Sequence, residues 1–409
     1  DSSTETFFMG VEKLEPKCNL LIDLQTKKIT VQQYWNYKFE TIPENDVYER
    51  FLELFYDCVR IRLRSDVELG ALLSGGLDSS AISIAGGEKA GDNFKTFTVI
   101  SDHHKFNEEK FADIITRTKT IRNKKLLLKS STIIDNFDKV LYHQDEPFAG
   151  FSMIAQYAIL EKIKKETDIN VVLSGQGGDE ILLGYLRYFF FYLRKLYTSG
   201  DYFKLMKEAI ASIIYRTIIT QWRLSAAKRY LPEMIIRDKK FLLINTELKN
   251  TWKHLTMTDA QINDIDKYSV PILTRYEDRN SMAYSIETRL PFLDHRLVEF
   301  LLSLNVKYKI KNGWNKYILR KSFKEMPSAI RWRRDKKGFT VPEEFWLKKD
   351  FKDDILLNFK NSRLEDAGII RSDYFIDYYY AYLSGNKRIH NFDIARVYIT
   401  EKWMKNFFA

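Results

Sequence analysis

The stretch "LGALLSGGLDSSAISIAG", Leu69 to Gly86, decides the fold. Its first six residues, Leu69 to Ser74, are small or apolar with no polar face. That predicts a short strand covered on both sides, as in a parallel sheet. From Asp78 onward, Ala81, Ile82, Ile84 and Ala85 recur at helical spacing. The turn between holds Gly75 and Gly76, so backbone N–H groups can approach a ligand that side chains would exclude. Backbone donors, the hydroxyls of Ser79 and Ser80 and a helix N-terminus together favour a bound anion, most often phosphate. No Gly-Lys-Ser/Thr follows, so the loop is not of the Walker type.

Working outward, strands and helices alternate from Leu69 to about Thr198. The strands are read at "ALLS" (71–74), "KTFTVIS" (95–101), "KKLLLKS" (124–130) and "NVVLSG" (170–175), with helical patterns between them. This predicts an α/β fold with a doubly wound parallel sheet. Upstream, residues 45–64 predict an amphipathic helix with Val47, Phe51, Leu54, Phe55 and Cys58 on one face. Residues 1–40 read as short strands that do not build a domain of their own. Residues 41–409 then form one large unit, with an α/β core at about 65–198 and a helical, aromatic part at about 199–409.

A second strand also ends in a glycine loop, "VVLSGQGGDEILLGY", Val171 to Tyr185. Ser174 and Gly175 leave the strand, and Asp179 and Glu180 open the next helix. Two such loops at strand carboxyl ends converge on the crevice where open α/β sheets bind ligands. Asp78 and Asp179 then face a shared phosphate site, an arrangement that calls for a hard cation, with Mg²⁺ the natural one. Each aspartate alone reads equally as a helix N-cap; the pair points to function.

Composition excludes several classes. Hydrophobic residues make up 45% and aromatics 14% of the 409 residues, ample for a core and unlike a disordered chain. The net charge of +10 suits polyphosphate or other anions, but the basic residues are dispersed among 55 acids with no basic arm, so no nucleic-acid partner is expected. Cys18 and Cys58 lack metal-ligand spacing, and Cys58 reads as a buried thiol. With no long apolar span and no signal peptide, the expectation is a cytoplasmic protein without membrane insertion.

The loops together with other segments carry a resemblance. "SGGLDSS" looks like the pyrophosphate-binding loop of the ATP-pyrophosphatase superfamily, and "LSGQGGDEILLGY" resembles the matching segment of asparagine synthetases. "DEPFAGFSMIAQYAI" from Asp145, "YEDRNSMAYSIETRLPFLDHRLVEF" (276–300), "GWNKYILR" (313–320) and "RWRRDKKGFTVPEEFW" (331–346) follow the same family in order and spacing. The likeness covers about residues 45–350. It is strongest to the asparagine synthetase-like amidotransferases found with surface-polysaccharide genes.

The resemblance implies an ATP-dependent ligase that activates a carboxylate as acyl-adenylate and transfers ammonia, releasing AMP and pyrophosphate. Ser74, Gly75, Gly76, Asp78 and Ser79 would cradle the β- and γ-phosphates. Leu72 and Val99 would hold the adenine, and Ser174 with Gly175 would line the ribose and α-phosphate. Asp78 and Asp179 would ligate Mg²⁺. Lys316 would stabilise charge on the α-phosphate and the adenylated intermediate, and Lys336 would contact the departing pyrophosphate. Glu287 and Arg289 would sit at the acceptor side of the crevice, with a structural ion pair between them as the alternative.

Two departures stand out. The family's usual N-terminal glutaminase begins with a catalytic cysteine, whereas residue 1 here is Asp. Residues 1–40 resemble only the closing strands of that domain and read as its remnant, which favours a fragment of a longer protein over a chain that uses free ammonia or a separate glutaminase. Ammonia is then expected from glutamine through a glutaminase domain that this chain lacks. Asparagine synthetases also commonly carry Glu at the third position of the second loop, where this chain has Gln176. A carboxamide cannot act as a base, though it can hydrogen-bond a substrate carboxylate or amide. Aspartate is therefore in doubt as acceptor, and a small-molecule or glycan carboxylate, such as a uronic acid, is expected. His143 and the pair His103-His104 are further acid–base candidates that read equally as surface or packing histidines. The alternatives are asparagine synthesis proper, an intramolecular amide-forming relative of the β-lactam synthetase or lasso-peptide cyclase type, or a non-enzymatic scaffold. A homodimer is left open.

Overall fold

The computed structural model describes residues 3–91, 94–101, 108–217, 240–243, 256–334, 341–386 and 389–408. A two-stranded antiparallel hairpin, β1 (Cys18–Ile22) and β2 (Ile29–Gln33), precedes helix α1 (Val47–Arg62). The alternating part follows as β3 (Leu69–Leu72), α2 (Leu77–Ala90), β4 (Phe94–Ser101), α3 (Glu109–Lys119) and β5 (Arg122–Leu128). It continues with α4 (Ser130–Gln144), α5 (Ser152–Glu166), β6 (Val171–Leu173) and α6 (Gly178–Ile181). Helices α7 (Leu186–Thr198), α8 (Tyr202–Ile214), α9 (Met257–Asn263) and α10 (Val270–Met282) come next, and then a last strand, β7 (Glu287–Arg289).

Strands β3 to β7 form one five-stranded sheet in the order β5-β4-β3-β6-β7, parallel throughout. The four sequence-predicted strands are present with ends shifted by at most two residues. Strand β7 is the addition. The sequence "ETR" is too short and too charged to show a strand period.

Both sheet faces are covered at the centre of the sheet, which is why β3 and β6 read as unbroken apolar runs. Leu69, Ala71 and Leu73, with Val171 and Leu173, pack on one face against Phe51, Phe55 and Cys58 of α1 and Ala81, Ile84 and Ala85 of α2. On the other face, Val172, Phe97 and Leu126 meet Ile159, Leu160 and Ile163 of α5. Alternate residues of one strand thus serve different cores, as the period of two requires. The buried face of α1 is Val47, Phe51, Phe55, Cys58 and Val59, close to the expected set, with Leu54 only partly covered. A third core, rich in aromatics, joins α4 and α5 to the C-terminal helices through Phe137, Phe151, Phe351, Tyr398 and Trp403.

Candidate active site

Strands β3 and β6 are neighbours, while their following strands run outward to opposite edges. This reversal of direction leaves a crevice at their carboxyl ends. The first loop emerges from β3 and closes on its own hydroxyls. Ser74 Oγ accepts the Gly76 N–H at 3.2 Å, and Ser79 Oγ accepts the Ser74 N–H at 3.3 Å while donating to the Gly76 carbonyl at 3.2 Å. Gly75 turns at φ +70, and a Cβ there would lie 2.7 Å from the Ala112 nitrogen, so only glycine fits. Gly76 caps α2, whose first-turn N–H groups have no partner within the helix.

The second loop touches the first. A Cβ on Gly175 would stand 3.2 Å from Asp78 Cβ, and one on Gly178 would stand 3.1 Å from Asp78 Oδ1. Lys316 lies between them. Its ammonium meets Asp78 Oδ2 at 2.5 Å and Asp179 Oδ1 at 2.7 Å, and its side chain is 0% exposed. Burial alone would pull this lysine's pKa down, but the Asp179 and Asp78 carboxylates outweigh it and hold the pKa above the ordinary lysine value. Lys316 adopts the left-handed conformation at φ 51, an uncommon place for a long side chain. Gly184 makes the approach possible, since a Cβ there would fall 2.0 Å from Asp179 Oδ1 and 2.2 Å from Lys316 Cε.

Asp78 Oδ1 is buried and has no hydrogen-bond partner among the described residues. A buried carboxylate oxygen so placed has an unmet demand for positive charge. Two further cations are at hand. Arg320 is fully buried, its pKa pushed down to about 10 by burial, with the Asp78 charge opposing that shift. Arg333 donates to the Gly75 carbonyl at 3.4 Å and to Glu108 at 2.7 Å, and lies over the Phe111 ring at 3.6 Å. Sequence reasoning stopped at the motif containing Arg333 and singled out Lys336, which lies outside the described residues.

The structure therefore brings together Ser74, Gly75, Gly76, Asp78, Ser79, Gly175, Asp179 and Lys316. Ser174 ends β6 beside them, its N–H donating to the Arg289 carbonyl at 3.0 Å. Leu72 and Val99 pack side by side on the second core, each partly open. Gln176 is half-buried between Gly175 and Gly177. Glu287 stands apart. It faces Val171 at the start of β6, is 59% exposed and pairs with Arg289 at 2.8 Å, which depresses its pKa. Arg289 also donates to the Arg62 and Arg64 carbonyls, at 2.8 and 2.7 Å. The structure thus shows these two residues as an ion pair, with the Arg289 backbone beside Ser174. His143 packs against the rings of Tyr142 and Tyr157; His103 and His104 lie outside the described residues.

Glu277, on α10, was missed. It is 2% exposed, and neither carboxylate oxygen has a hydrogen-bond partner among the described residues. Burial pushes its carboxyl up to about 7, with the Ser174 hydroxyl opposing from beyond hydrogen-bond contact. Glu277 lines a cavity of about 390 Å³ with Thr274, Arg275, Asp278 and Thr288, and the Thr288 hydroxyl also has no hydrogen-bond partner among the described residues. Position in a motif gave a signal, but burial is not visible in "RYEDR".

A parallel α/β sheet with paired glycine loops at its switch point defines a class built for ligands held at strand carboxyl ends. Within that class, the chain belongs to the asparagine synthase family, whose sequence model matches residues 50–405. It is 26% identical over 370 residues to asparagine synthetase [glutamine-hydrolyzing] 1 of Bacillus subtilis, covering 84% of this chain and 57% of that protein. It is 27% identical over 376 residues to a putative asparagine synthetase [glutamine-hydrolyzing] of Mycobacterium bovis, covering 84% and 56%. The chain thus spans little more than half the length of these curated relatives. An NH3-dependent NAD synthetase from Campylobacter jejuni, a solved structure, aligns over 34% of this chain and 60% of its own, at 16% identity and a TM-score of 0.25.

Proposed function

We propose that this chain is the synthetase part of an ATP-dependent amide-forming ligase. The observation that carries this reading is Lys316, buried and shared between Asp78 of one loop and Asp179 of the other. Such a centre places fixed positive charge where two anionic elements meet. Family membership and the relatives' printed activities support the same reading.

In the proposed reaction, an acceptor carboxylate oxygen attacks the α-phosphorus of ATP, and the bond to the bridging oxygen breaks. Pyrophosphate leaves with the electron pair. Ammonia then attacks the acyl carbon, AMP departs with the acyl–oxygen electron pair, and the nitrogen loses a proton. The first loop's amides and Ser74, Gly75, Gly76 and Ser79 receive the β- and γ-phosphates. Lys316 and Arg333 balance the charge developing on the α-phosphate and on pyrophosphate. Leu72 and Val99 form the adenine wall, and Ser174 with Gly175 borders the ribose.

The residues present fit magnesium. Asp78 Oδ1 has an unmet demand for cation and Asp179 is partly open, and Mg²⁺ is commonly held by one or two carboxylates completed by phosphate and water. When bound, the ion would neutralise the triphosphate and polarise its leaving group.

The acceptor belongs in the cavity beside Ser174. Glu277, Asp278, Thr274 and Thr288 offer acceptors and hydroxyls suited to a hydroxylated carboxylate, which supports a uronate-like substrate of surface-polysaccharide chemistry. Gln176, in the second loop, adds no like charge beside triphosphate. Glu277, with its carboxyl pushed up to about 7, is suited to take the proton that the incoming nitrogen loses. Ammonia from a glutaminase partner and a cytoplasmic location complete the reading.

The test resolves nucleotide products by chromatography, with ATP, Mg²⁺, ammonium and a panel of carboxylates. AMP and pyrophosphate are expected in step with amide. ADP and phosphate would overturn the proposal.

A further inference from the structure

Helix α8 is turned inside out. Phe203, Met206, Ile210, Ile213 and Ile214 form a stripe at helical spacing, and they are 77%, 56%, 47%, 57% and 68% exposed. Two polar residues of the same helix face the protein instead. Glu208 and Ser212 are buried, with Glu208 accepting the Gly313 N–H at 2.7 Å. Thr217, just beyond the helix, donates to the Gly313 carbonyl at 2.6 Å. A surface helix of a water-soluble protein shows the opposite arrangement, with its apolar stripe to the core.

The packing holds the inversion in place. A Cβ on Gly313 would fall 2.5 Å from the Ser212 backbone, so the helix lies directly on the segment that leads to Lys316. Turning the stripe inward would carry Glu208 and Ser212 out to solvent and break the Glu208 contact.

The surroundings match one kind of partner. Beside α8 lies a cavity of about 410 Å³ lined by Lys204, Lys207, Lys307 and Lys311, against the acids Asp201 and Glu208. Tyr197, Tyr202 and Tyr215 are exposed at the two ends of the helix. Tyrosine, with an apolar ring and a polar tip, favours the boundary between hydrocarbon and water. An apolar stripe, aromatics at its ends and lysines alongside form the pattern of a helix lying in a membrane interface. A second copy of the chain is a poorer fit, because a two-fold contact would bring two lysine-bearing surfaces face to face. With 13 residues, α8 is far too short to span a bilayer.

We propose that α8 seats this protein on an anionic membrane surface, its stripe dipping among the acyl chains and its lysines meeting headgroup phosphates. The experiment is co-sedimentation of the whole chain with vesicles of phosphatidylcholine alone or with 30% phosphatidylglycerol added. Binding at least tenfold stronger to the anionic vesicles is expected, weakening as salt rises. The triple variant Phe203→Ser, Ile210→Ser, Ile214→Ser should lose at least tenfold in binding to anionic vesicles, with its helicity, unfolding temperature and ATP binding preserved. Lys204→Glu with Lys207→Glu should remove the preference for anionic lipid. Wild type that ignores anionic vesicles would overturn the proposal, as would a triple variant that binds them equally well. So would a dimer in light scattering that the triple variant abolishes, since the stripe would then be covered by a second copy.

Discussion

Ser74–Ser80 and Ser174–Glu180 leave neighbouring strands at the same end of the sheet, yet they are supported differently. The first loop is braced by its own serines, with Ser74 and Ser79 bonding each other and Gly76. The second is held from the helical half. Gln261 of α9 donates to the Glu180 and Ile181 carbonyls, both at 3.0 Å. Glu180 accepts from Tyr185 at 2.6 Å and from Ser269, Gly177 packs on Leu293, and Asp179 meets Lys316. Burial, and then the charge of Asp179, raise the Glu180 pKa, so this loop also stores electrostatic cost that its partners must relieve. A local phosphate cradle and an imported cation site meet in one crevice. Changes in the distant helices should therefore damage the second loop far more than small changes damage the first.

Lys316→Met is the strongest way to test that contrast. Turnover measured as AMP release should fall about 100- to 1,000-fold, as when a fixed charge-stabilising donor is lost. Two close carboxylates would also be left facing each other. The stability loss should lie toward the lower end of about 3–5 kcal/mol, because both aspartates keep some contact with water. Thermal unfolding with unchanged midpoint would show that the lysine does not hold the loops together.

Glu277 should make stability depend on pH. Its carboxyl is raised from the ordinary 4.5 to about 7 in the fold, so the folded chain binds more protons than the unfolded one in between. This contribution is fully present below about pH 4.5 and is lost as pH rises through about 7, for a total of about 3 kcal/mol. Glu277→Gln should flatten that part of the unfolding-temperature profile and lower kcat. A profile unchanged by the substitution would remove Glu277 from the account.

Gly184→Ala forces Asp179 and Lys316 apart without changing any charge. A loss of about 1–3 kcal/mol is expected in denaturant unfolding, with weaker Mg-ATP binding. If the variant bound Mg-ATP as the wild type does, the close approach would not matter. Ser79→Ala should have the smallest effect on stability, about 1 kcal/mol for one exchanged hydroxyl. A larger loss than from Gly184→Ala would reverse the comparison between the loops.

Much of this was legible in the chain itself. Strands covered on both faces tend to be small or apolar at every position, so β3 and β6 stand out as runs. Glycines with a following acid mark the loops because backbone approach to an anion leaves little choice of residue. Periodicity, however, is blind to rotation. The sequence of α8 has the same amphipathic pattern whether its stripe faces core or solvent, and only the contacts of Glu208 and Ser212 with the Gly313 and Thr217 segment decide it. The same holds for carboxylates. Nothing in "YEDR" and "IETR" separates Glu277, buried and without a hydrogen bond among the described residues, from Glu287, exposed and ion-paired. A charge takes its chemistry from the solvent and partners left to it, and those are set by residues far away along the chain.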